Sequence, residues 1–94
     1  MNGDKNTIVK NFTLNNKYGL HARPSSMFVK TASQFKSEFK VKKEDYTSNG
    51  KSIMELMILA AAPGEQLTVE ISGLDAHQAM IAIEDLFNSK FGEA

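Results

Sequence analysis

The sequence predicts an α+β fold in which helices cover one side of an open-faced sheet. Two observations carry this. Phe39 and Val41 alternate with Glu38, Lys40 and Lys42, and Leu67, Val69 and Ile71 alternate with Thr68, Glu70 and Ser72. Such alternation marks a sheet with one covered and one solvated face. Segments of helical spacing lie between and after these strands, so the order reads strand, helix, strand, strand, helix, strand, helix. That order suits a layered α+β architecture. Ninety-four residues suit one small domain over 1–94, with a core too limited to enclose a large cofactor.

Residues 1 to 6 are polar and are expected to fray. Ile8, Phe12 and Leu14 share one parity and predict the first strand, although Lys10 interrupts them. Asn15 to Gly19 is loop chemistry. From Ala22 to Phe35, the apolar residues Phe28, Val29, Ala32 and Phe35 recur at helical spacing. A strand through Phe39 and Val41 follows, with a tight turn at Lys43-Glu44-Asp45 and a short return strand over Tyr46 to Ser48. Asn49-Gly50 breaks the chain. Ile53 to Ala62 is apolar except for Glu55, and Pro63-Gly64 ends it. The strand through Leu67, Val69 and Ile71 is closed by Gly73. Asp75 and Gln78 have the spacing of a capping box. Ala76, Ala79, Met80, Ile83, Leu86 and Phe87 mark one face of the last helix, which Gly92 stops.

Composition excludes several functions. With no cysteine, there is neither a disulfide framework nor a cysteine metal site. Two distant histidines, His21 and His77, form no metal signature. Eleven basic residues balance eleven acidic ones, without the excess expected of a nucleic-acid binder. The glycines lack phosphate-loop spacing. The N-terminus has no apolar run, and no segment is long enough to span a membrane. A soluble cytoplasmic protein is the expectation.

One stretch carries chemistry: Gly19-Leu20-His21-Ala22-Arg23-Pro24-Ser25-Ser26. Pro24 is tolerated in a first helical turn, so it predicts a helix starting beside His21. Free first-turn amides and the helix dipole make such a start an anion site. The Arg23 guanidinium matches phosphate oxygens. An imidazole there suits a phosphoryl acceptor, since the positive helix end favours its neutral, nucleophilic form. Arg23 and the helix end would then stabilise the transferred charge. The competing reading makes His21 a cap or solvated residue and Arg23 one half of a surface ion pair. His77 reads as a solvated histidine at the start of the last helix.

Gly19 to Pro24 resembles the phosphorylation motif of the HPr family, the histidine-containing phosphocarriers of the bacterial phosphotransferase system. Lys51-Ser52-Ile53-Met54-Glu55-Leu56-Met57 resembles that family's regulatory-serine region and short second helix. The similarity extends over about residues 7 to 91. It implies four antiparallel strands in the order 1-4-2-3, with three helices on one face. It further implies that His21 accepts a phosphoryl group on Nδ1 from Enzyme I and passes it to an Enzyme IIA domain. Arg23 and the backbone of Ala22 and Arg23 would contact the phosphate. Such a carrier is a relay component more than a turnover enzyme, needs no cofactor or metal, and is expected to be a monomer.

Ser52 keeps two readings. Ser52 and Glu55 have capping-box spacing, so the serine can serve its helix alone. By resemblance it is also a regulatory phosphosite for a serine kinase and phosphorylase, and a phosphate suits a helix start. Glu55 stands where many relatives with this serine carry glycine. The second helix adds an argument independent of family. Leu56, Leu59 and Ala60 form one stripe, whereas Ile53, Met54 and Met57 form another. A helix on an open-faced sheet buries only one, so the second is expected to be an exposed docking patch, bordered by Ser26 and Met27. Alternatives stay open: a carrier of the nitrogen-related branch, which the ending Leu86-Phe87-Asn88-Ser89 resembles, or a regulatory module that docks on transcriptional regulators through the Ile53, Met54, Met57 patch.

Overall fold

A computed structural model describes residues 6–93. Four strands form one antiparallel sheet: β1 (Asn6–Thr13), β2 (Glu38–Lys43), β3 (Tyr46–Asn49) and β4 (Gln66–Gly73). Their order is β1-β4-β2-β3. Three helices, α1 (Ala22–Ala32), α2 (Ile53–Ile58) and α3 (Ala76–Asn88), cover one face, and a 3-10 turn over Lys90–Gly92 follows α3. The expected α+β open-faced sandwich is the observed one, strand order included.

Register shows how the alternating pattern builds the core. Ile71 lies between Ile8 and Phe39, and Val69 between Lys10 and Val41. Phe39, Val41, Leu67, Val69 and Ile71 are all buried, and the helices add Phe28, Leu56, Ala79, Met80 and Ile83. Lys10 therefore occupies the helix-facing register. At the sheet's edge its ammonium reaches Glu84 of α3, 2.6 Å away, which resolves the break in the first strand's pattern.

Five details differ from the sequence reading. Asn6, expected to fray, begins β1 opposite Gly73; residues 1–5 lie outside the described residues. Helix α1 ends at Ala32 instead of Phe35, because the chain tightens into turns in which Gln34 and Phe35 donate to the carbonyls of Thr31 and Ala32. Helix α2 stops at Ile58. Ala60 takes a φ of 50°, and Lys43 Nζ draws off the carbonyls of Leu59 and Ala60 at 3.0 and 3.4 Å. That turn exposes Ala60 and buries Ala61 in its place beside Leu56 and Leu59. Asp75 caps nothing with its side chain, since its carboxylate accepts from the amides of Lys36 and Ser37 and from the Ser37 hydroxyl. It thereby ties the α1–β2 connection to the start of α3. Finally, the last helix ends at Asn88, and the turn beyond it drives Phe91 into the core against Phe87.

Candidate functional site

The loop before α1 is fixed by the connection between α2 and β4. Leu14 donates to Glu65 O at 2.9 Å, Gly64 to Leu14 O at 2.7 Å, and Leu20 to Ala61 O at 2.9 Å. Gly19, with φ of 77°, passes so close to Ala61 that a Cβ there would collide with its carbonyl oxygen. Only glycine satisfies both conditions. The buried Asn16 donates its amide to Gly19 O at 2.7 Å, which pins the loop from within. Together these contacts deliver His21 to the N-cap of α1.

His21 adopts extended backbone angles and makes no capping hydrogen bond with its side chain. Its carbonyl accepts from Ser25 N, whereas the amides of Ala22 and Arg23 belong to the first turn, which lacks intrahelical acceptors. Pro24 contributes no N–H and is buried. The imidazole is 37% exposed. Tyr18 stands edge-on to it, with ring centroids 5.9 Å apart. Lys17, Tyr18, His21, Arg23, Gly92 and Glu93 line a shallow depression of about 670 Å³. Two cations and the helix start, with the Glu93 carboxylate beside them, thus frame a partly exposed imidazole. His77 is exposed on α3, away from these residues in sequence and element.

Glu93 is the residue that sequence reasoning missed. Its Oε2 lies 2.9 Å from His21 Nε2, and its Oε1 accepts from Asn16 Nδ2 at 3.0 Å. Asn16 holds the carboxyl below its usual range, with the His21 ring and the Arg23 charge adding to the effect and burial opposing it. No local motif signals this contact, because 72 positions separate its partners. It depends on the left-handed backbone of Lys90, Phe91 and Gly92 and on Phe91 being anchored in the core.

Ser52 is the N-cap of α2, and its hydroxyl accepts from Glu55 N at 3.2 Å. Glu55 does not complete the box at Ser52: its carboxylate reaches one turn further back, to Asn49 N at 2.8 Å. The amide of Ser52 donates instead to Asn49 O. On α2, Ile53, Met54 and Met57 are exposed, as the two-stripe argument requires. Ile58, at 73%, is as exposed as Met54 and belongs to the same outer surface. Helix α1 packs beside α2, where Ser26 is exposed and Met27 is half-buried against the core.

Residues 8–89 match the family model described as the PTS HPr component phosphorylation site. A phosphocarrier protein HPr from Neisseria meningitidis serogroup A is 58% identical over 78 residues, covering 83% of this chain and 88% of that one. Another from Xylella fastidiosa is 43% identical over 81 residues, covering 86% and 91%. The crystal structure of HPr-C-His from Thermoanaerobacter tengcongensis superposes with a TM-score of 0.89 at 41% identity, over 93% of this chain and 98% of that one. Fold and sequence agree on one class, the small phosphocarrier proteins. The chain belongs to the HPr family, a component of the phosphotransferase system. Among the described residues no helix is long and apolar enough to cross a membrane.

Proposed function

We propose that His21 is the phosphoryl acceptor of this phosphocarrier, loaded by Enzyme I and unloaded onto a histidine of an Enzyme IIA domain. The observation that carries this reading is the exposed imidazole at the start of α1, within the motif and beside Arg23. The Nδ1 lone pair attacks phosphorus, an Nδ1–P bond forms, and the donor's bond to phosphorus breaks with the electron pair returning to the donor. Arg23 and the amides of Ala22 and Arg23 stabilise the charge on the phosphoryl oxygens. The shallow, open site suits a carrier, because a phosphate held too firmly would not leave. The partners supply the remaining catalytic environment while docked on Ile53, Met54 and Met57, bordered by Ser26 and Met27. The protein works in the cytoplasm as one domain. Ser52 serves as cap and as a regulatory phosphosite, since a phosphate at that helix start is electrostatically favoured.

The test mixes the protein with Enzyme I, magnesium and phosphoenolpyruvate and follows its intact mass. An acid-labile gain of one phosphoryl group, absent from His21→Ala, supports the reading. No gain with a cognate Enzyme I overturns it. Transfer onward to a sugar-type or a nitrogen-type acceptor then decides the physiological branch.

A further inference from the structure

We infer that Glu93, held in place by Asn16, is a positioning residue that fixes the proton of His21 on Nε2 and so presents Nδ1 as the nucleophile. This rests on the phosphoacceptor reading of His21. A carboxylate accepts and cannot donate, so the ring nitrogen it touches must carry the proton. That nitrogen is Nε2, at 2.9 Å. In a neutral imidazole the other nitrogen then holds the free lone pair. The carboxylate is itself aimed: its second oxygen takes the amide of Asn16, which is 1% exposed and also holds Gly19 O. One asparagine therefore ties together the loop that carries His21 and the carboxylate that orients it. The geometry matches a histidine oriented by a carboxylate in nucleophilic sites, where the third group sets the tautomer.

The arrangement also has a consequence during transfer. As Nδ1 bonds to phosphorus, the ring becomes cationic while its proton stays on Nε2. Glu93 faces that developing charge directly. When the phosphoryl group leaves, the electron pair returns to Nδ1 and the ring is neutral again, with the proton still between Nε2 and Glu93. No proton has to be exchanged with solvent in either direction.

The experiment records the imidazole of ring-15N-labelled protein by NMR without Enzyme I, then single-turnover phosphorylation by Enzyme I. The expected wild-type result is a slowly exchanging Nε2–H resonance. Glu93→Ala loses that resonance and slows phosphorylation about tenfold. Asn16→Ala acts in the same direction, and the double variant is little slower than Glu93→Ala, because the two residues act as one unit. Glu93→Gln, which can still present an oxygen to Nε2–H, restores part of the rate. Thermal melts of each variant separate folding from positioning. A wild type protonated on Nδ1, or a folded Glu93→Ala with unchanged resonance or unchanged rate, overturns the proposal. A wild type that takes no phosphate sinks the carrier reading and the role of Nδ1 with it, whereas unchanged phosphorylation in Glu93→Ala sinks the positioning role alone.

Discussion

Gly19 lies against the carbonyl of Ala61, with no room between them for a side-chain carbon. The pair fixes the height at which the chain enters α1, three residues before that helix begins. Gly19→Ala meets both a left-handed φ and a backbone obstacle. It is expected to cost about 2 kcal/mol or more, with a matching fall in melting temperature. Phosphorylation of His21 should slow as well, because the entry loop must shift. A variant with wild-type melting and transfer rate would show that the loop has slack elsewhere.

Arg23 makes no ion pair within 4 Å among the described residues, although its charge helps hold the Glu93 carboxyl in its ionised form. Arg23→Ala is expected to slow phosphoryl transfer about a hundredfold, the usual scale for losing one donor to developing charge. Arg23→Lys should recover only part, since an ammonium lacks the planar fork. Single-turnover rates against Enzyme I decide this.

The patch on α2 separates docking from folding. Met54, 73% exposed, contributes little to the core. Met54→Glu should leave the melting temperature nearly unchanged while weakening the productive encounter with Enzyme I at least tenfold, read as kcat/KM. Ser52→Ala probes the other role of this helix. Losing the cap on Glu55 N should cost about 1 kcal/mol of stability.

Asp75 gives a pH-dependent prediction. Its carboxyl is held below the usual range first by the Ser37 hydroxyl, then by the amides of Lys36 and Ser37, against burial. A carboxyl lowered on folding stabilises the native state above its unfolded value, about 3.9, and that contribution is lost as pH falls through the folded value. Wild type should therefore melt higher than Asp75→Asn at pH 7. The gap should narrow below about pH 4, where the wild-type carboxylate takes up its proton. A gap that stays constant down to pH 2 would place the contribution of Asp75 in geometry and not in charge.

What could be read from the sequence was whatever repeats locally. Alternation located Val41, Val69 and Ile71, and helical spacing located Phe28, Ala79 and Ile83, because periodicity directly reports which face is covered. The two-stripe argument found Ile53, Met54 and Met57, since a short helix has only one inner face. Ile58 escaped it because the helix ends there, and Lys43 takes up the carbonyls that follow. The capping residue at Asp75 was misread for a similar reason: its carboxylate serves amides 38 and 39 positions away. Glu93 was invisible because its partners, Asn16 and His21, lie 77 and 72 positions away in sequence. His21 stands in a local motif, but the carboxylate against its ring comes from 72 positions further along the chain.

Lys10 has one more consequence. The eight-residue strand β1 pairs only with β4 among the described residues, so it is the longer of the sheet's two margins. A second copy adding its own strand there would extend the helix-covered face beyond a lysine whose ammonium is already committed to Glu84. An inward-facing charge on a margin of this kind makes further strand addition unfavourable. The interruption in an otherwise regular apolar pattern thus acts as a guard against the sheet growing from molecule to molecule.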